Sequence, residues 1–93
     1  MEQHIDSSSN DIITLNLRYS MNIEVSRKLL TSIPNSSLEA MFSGRHPLEE
    51  QDGKFFVDRD PEAFQYLIGY LKNREIPQND KEKLMNELEF WGI

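Results

Sequence analysis

The chain has 93 residues, no cysteine, and 10 Lys and Arg against 16 Asp and Glu, for a formal charge of −6. That length holds one domain; the acidity argues against naked nucleic acid, whose phosphates need a basic surface; and the lack of cysteine excludes a disulfide framework, a thiolate metal site and a Cys nucleophile. No apolar run approaches the roughly 18 residues of a membrane span, and Met1 to His4 carry no signal-peptide pattern, so no membrane partner is expected.

Residues 1–11 read as a disordered tail, because Ser7-Ser8-Ser9-Asn10 offers nothing apolar to bury. The folded domain is expected over 12–93. Ile13, Leu15 and Leu17 alternate with Thr14 and Asn16, which predicts a strand with one buried face. Arg18 to Asn22 form a polar turn. Met21, Ile23 and Val25 alternate again, so a hairpin is expected. Ser26 fits a helix N-cap, followed by a buried stripe of Leu29, Leu30 and Ile33 that Pro34 ends. Ser36 with Glu39 three residues later fits a capping box, and Leu38, Met41 and Phe42 give that second helix its apolar side until Gly44 stops it. Arg45 to Gly53 reads as a charged loop and Lys54 to Asp58 as a short strand. Asp60-Pro61 predicts a cap and a first helical position. Phe64, Leu67, Ile68 and Leu71 then keep the spacing of an amphipathic helix that ends near Asn73. Asn79 or Asp80 caps a last helix with Leu84, Leu88 and Trp91 on its apolar side and Met85 beside them. The order β-β-α-α-β-α-α, opened by a hairpin, is that of an α+β domain.

Asp58-Arg59-Asp60 is the densest charge cluster. A carboxylate pair could serve a metal or acid–base chemistry, yet no His, glycine-lined loop or nucleophile accompanies it, and Asp60 is better explained as a helix cap. An Arg-centred ion-pair surface between subunits is the stronger reading, because Arg offers a rigid multidentate donor fork. Arg59 between the two carboxylates should also keep them ionised. His46 and the Glu49-Glu50 pair read as solvated loop residues, and His4 lies in the tail. Leu84, Leu88 and Trp91 read as core. No catalytic site, metal or cofactor is expected, which leaves binding or assembly by elimination.

Several segments together resemble the BTB/POZ domains of the potassium-channel tetramerisation class, especially KCTD-type adaptors. These are Ile13-Thr14-Leu15-Asn16-Leu17, Ser32 to Leu38, Met41-Phe42-Ser43-Gly44-Arg45, Phe55 to Phe64, Leu67 to Lys72 with Ile76-Pro77, and Glu87 to Ile93. They fall in the family's order over roughly residues 12 to 93. The resemblance implies a small three-stranded sheet with a β-hairpin start and about four to five flanking helices.

It also implies function. The expected role is self-association into a ring of four or five, with Asp58, Arg59 and Asp60 at the contact, in a cytoplasmic protein. A second implied role is docking of a cullin-type ubiquitin-ligase scaffold on Met41, Phe42, Arg45, His46, Pro47 and Leu48, although the helical spacing also makes Phe42 a core residue. One departure stands out. The family usually follows the first strand with Val-Gly-Gly, where this chain has Arg18-Tyr19-Ser20. Two glycines allow positive φ angles that Arg18 and Tyr19 would adopt only at a cost, so the hairpin must turn differently. The alternative reading is therefore a monomeric or heteromeric BTB-like module that has lost ring assembly and cullin binding.

Overall fold

The computed structural model describes residues 12–43 and 50–93. The expected tail lies outside them, as do Gly44, Arg45, His46, Pro47 and Leu48. Strands β1 (Ile12–Leu17) and β2 (Met21–Ser26) pair antiparallel, with Leu15 opposite Ile23. Strand β4 (Lys54–Phe56) runs parallel to β1, with Leu15 opposite Phe55. A two-residue strand, β3 (Glu50–Gln51), pairs antiparallel with β4, so the sheet order is β2-β1-β4-β3. The three expected strands are therefore joined by a short fourth at the far edge. Four α-helices are formed among the described residues: α1 (Arg27–Leu30), α2 (Ser37–Phe42), α3 (Pro61–Asn73) and α4 (Lys81–Trp91). The architecture is α+β.

The core follows from the alternation in the strands and the stripes of the helices. Ile13, Leu15 and Leu17 face inward and join Val25, Leu30, Leu38, Phe42, Phe64, Leu67, Leu84 and Trp91 in one cluster. Fully burying one such side chain contributes about 1.5–3 kcal/mol. Helix ends are fixed by the expected caps. The Ser26 hydroxyl accepts from the Leu29 N–H at 3.0 Å, the Ser36 hydroxyl from Glu39 at 3.0 Å, and the Asp60 carboxylate from Ala63 at 3.0 Å. Of the two candidates before the last helix, Asp80 is the cap. Helix α4 closes with Gly92 at φ 74°, a left-handed turn in which the Ile93 N–H returns to the Leu88 carbonyl at 2.9 Å.

Two details depart from the sequence expectations, and a third shows how the hairpin turns without Gly-Gly. Helix α1 stops at Leu30 rather than at Pro34, because the Thr31 and Ser32 hydroxyls donate back to the Arg27 and Leu29 carbonyls at 2.9 and 2.8 Å and end the turn locally. Strand β4 ends at Phe56 rather than Asp58. The Val57 N–H still reaches Asn16, but the Arg59 N–H then bonds the Val57 carbonyl at 2.8 Å and swings the chain out of the sheet. In the hairpin turn, Tyr19 and Ser20, not Arg18, take positive φ, at 62° and 57°. The Met21 N–H closes the turn on the Arg18 carbonyl. This is the mirror-image turn that matches strand twist, built without glycine.

A candidate interaction surface

The bend after β4 delivers Asp58, Arg59 and Asp60 beside the hairpin turn and the start of α4. The Arg18 N–H holds the Arg59 carbonyl at 3.3 Å, tying the two turns together. The three charged side chains then go to three different partners. Arg59 does not bridge Asp58 and Asp60, because the chain has left the strand geometry that would put both carboxylates on one face.

Arg59 forms a fork on Glu87, with Nη2 donating to Oε1 at 2.7 Å and Nε to Oε2 at 3.1 Å. The Trp91 indole Nε1 donates to Oε2 at 2.9 Å. Glu87 is only 1% exposed. The Phe90 ring covers the guanidinium, with its centroid 3.7 Å from Cζ. Thus the sharpest charge in the motif is spent on docking the bend to α4.

Asp58 is the outward group. It accepts from Arg18 Nε at 2.6 Å, with 67% of its own side chain and 42% of that of Arg18 in solvent. That hydrogen bond, with the Asp58 charge behind it, raises the Arg18 pKa above its ordinary value. Asp60 caps α3 and lies 3.9 Å from Lys83 Nζ. Lys83 also reaches Glu62 at 2.9 Å and Asp80 at 3.8 Å, joining the starts of α3 and α4. The bond to Glu62 raises the Lys83 pKa, and bonds from Lys83 and then Tyr66 lower that of Glu62. Among the described residues, no three His, Cys, Asp or Glu side chains gather as metal ligands.

Next to the bend lies an apolar groove of about 510 Å³, walled by Met41, Phe55, Phe56 and Phe90, with Arg18 and Asp58 at its rim. Phe56 is 64% and Phe90 54% exposed. Of the residues expected to meet a partner, Met41 and Phe42 both line this groove, Phe42 as a fully buried part of its floor. Between the two roles open to Phe42, the structure places it in the core.

Sequence reasoning passed over Glu87, Phe56 and Phe90 as site residues. Glu87 sits at the helical spacing of Leu84, Leu88 and Trp91, so an acid inside an apolar stripe was the available signal. In Phe55-Phe56, period-two alternation points one ring inward and the other out.

Residues 15–93 match the BTB/POZ domain family. The chain is 35% identical over 89 residues to the human BTB/POZ domain-containing protein KCTD21, covering 90% of this chain and 34% of that one. It is 33% identical over 90 residues to human KCTD3, covering 94% of this chain and 11% of that one. It is 31% identical over 86 residues to bovine SH3KBP1-binding protein 1, covering 89% and 12%. The chain thus spans about a third or less of the length of these curated relatives. With the hairpin turn, the Asp60-Pro61 helix start and the closing Glu87–Gly92 segment all within the matched residues, the chain belongs to the BTB/POZ domain family, in its KCTD-like, channel-tetramerisation branch, a family of protein–protein interaction domains.

Proposed function

We propose that this domain is an assembly module whose own copies meet at the Phe56–Phe90 groove and its Arg18–Asp58 rim, forming a ring of four or five. The observation that carries this reading is the pair of aromatic rings left more than half exposed around one groove. Exposed apolar surface rimmed by charge is the composition of an interface core and its edge. The Arg59–Glu87 fork holds Phe90 and the bend in place beforehand, so little order remains to be imposed on contact. BTB/POZ domains generally self-associate, which supports the same reading. Light scattering at several concentrations in low salt tests it: oligomers are expected, and a monomer at high micromolar concentration overturns it.

Docking of a cullin-type scaffold is a second reading, favoured by Met41 at the groove wall and by the KCTD relatives. On that reading Leu48→Asp abolishes pull-down by cullin N-terminal regions with unchanged circular dichroism. Failure of the parent chain to bind removes this branch and leaves self-assembly standing.

A further inference from the structure

We propose that the groove between the free edge of β2 and helix α3 receives an extended, basic-flanked segment of a partner protein, added to the sheet as a further strand. The inference is independent of the assembly groove, which is built from β4, α2 and α4 rather than from β2 and α3.

Among the described residues, strand β2 stands at the end of the sheet, with β1 on one side only. From Asn22 to Val25, no backbone group bonds anything but β1 among the described residues. Proteins usually blunt such an edge with Lys, Pro, a bulge or a covering element, because unpaired N–H and C=O groups recruit other strands. Met21-Asn22-Ile23-Glu24-Val25-Ser26 has none of the sequence devices and one charge. Its six residues span about 20 Å at strand spacing, enough to pair with a short peptide.

Beside this edge, Ile23 and Val25 of β2 face Ile68, Gly69 and Lys72 of α3 across a groove of about 380 Å³. Ile23 and Ile68 are half-buried and offer apolar footing for every second side chain of an incoming strand. Gly69 keeps the helix wall low. A Cβ there would come within 3.0 Å of Glu75 Oε1, so the missing side chain is also what lets the Glu75 carboxylate lie against the groove.

Charge selects the occupant. Glu24 and Glu75 line the groove, both are exposed, and neither has an ion-pair partner among the described residues. Against them stands only Lys72, on a chain of net charge −6. A segment with Lys or Arg beside its apolar residues therefore fits. A second copy fits less well: its own β2 brings Glu24 against Glu24, and the cations that follow, Arg27 and Lys28, belong to helix α1 rather than to the strand.

Selection of displayed random octapeptides against the full chain tests this, with fluorescence anisotropy of the enriched peptides. The expected winners carry β-branched residues at alternate positions and Lys or Arg at the ends. They slow amide exchange at Asn22 to Val25, and they lose binding when their backbone is N-methylated. Replacing both carboxylates, Glu24→Lys with Glu75→Lys, should leave circular dichroism unchanged and weaken binding about ten-fold, the scale of two exposed charge pairs lost and reversed. No enrichment, winners without a cation, indifference to the charge reversal, or protection elsewhere overturns the proposal. So does a concentration-dependent dimer that Glu24→Lys alters, because the occupant would then be a second copy.

Discussion

Asp58 and Arg59 are neighbours in the chain, and each holds an ion pair, yet the two pairs do opposite work. Arg59 meets a carboxylate that is 1% exposed, shares it with an indole N–H, and lies under an aromatic ring. Asp58 meets Arg18 in the open, with its own side chain 67% exposed. A desolvated pair cannot lose one member without stranding a charge, whereas an exposed pair exchanges its partner for water at little cost. The difference assigns the inner pair to the fold and leaves the outer one available to another chain.

Breaking the inner pair should give the largest effect. Arg59→Ala leaves Glu87 buried with only the Trp91 N–H, a loss of about 3–5 kcal/mol. For a domain of this size, that lowers Tm by about 12 °C or more. Asp58→Asn, one residue away, should leave Tm nearly unchanged. Thermal unfolding followed by circular dichroism compares the two. Equal shifts would show that exposure does not separate the pairs.

The assembly groove comes second. Phe90 is a poor probe because it also covers Arg59, so Phe56, whose ring touches the groove from the sheet, is the cleaner one. Phe56→Ser should weaken self-association about thirty-fold, the scale of an interface hot spot, with Tm of the monomer preserved. Raising salt should loosen the assembly further if Arg18 and Asp58 lie at its rim, since exposed pairs are screened beyond about 8–10 Å at near-physiological ionic strength. Sedimentation of both proteins at two salt concentrations reads both effects.

The hairpin turn sharpens the comparison from the backbone side. Tyr19 and Ser20 hold left-handed angles that side chains disfavour by about 1–3 kcal/mol each. Replacing them together, Tyr19→Asn with Ser20→Gly, supplies the residues that turn prefers and should raise stability by about 1 kcal/mol. Tyr19 is 77% exposed. A gain in Tm joined to a loss of assembly would place this ring in the contact; a gain with assembly intact would leave it as uncompensated strain.

What the sequence made legible was local. Ser26, Ser36 and Asp60-Pro61 announce helix starts because a cap acts within three residues of itself, and alternation in Ile13-Thr14-Leu15-Asn16-Leu17 announces which side of β1 is buried. What it hid was set by distant residues. Glu87 lies 28 positions from Arg59, and nothing near it says that a buried carboxylate will be neutralised there. Strand β3 has two residues and no pattern of its own; it exists because β4 offers an edge. The sequence said only that the hairpin must turn without Gly-Gly; the bond from Met21 to Arg18 decides that Tyr19 and Ser20 occupy the centre of the turn and take the positive φ angles.

The exposed cluster around Lys83 should give the smallest effect, and its sign is fixed by chemistry. Glu62 accepts hydrogen bonds from Lys83 at 2.9 Å and from Tyr66 at 3.1 Å. Both favour the ionised carboxylate, so its pKa in the fold lies below its ordinary value of 4.5. The unfolded chain thus binds the proton more readily, and stability contributed by Glu62 is present above pH 4.5 and is lost as pH falls through the lower, folded value. Lys83 is the mirror case. Its pKa is raised above 10.5, so its contribution is present below that pH and is lost as pH rises through the folded value. Between the two limits this cluster adds no slope to stability. Glu62→Gln should therefore flatten a small acid-side loss of Tm below pH 4.5 and change little at neutral pH. If the variant and parent melt in parallel from pH 6 down to pH 3, the Lys83–Glu62 contact carries no stability, and the exposed side of the comparison contributes only surface charge.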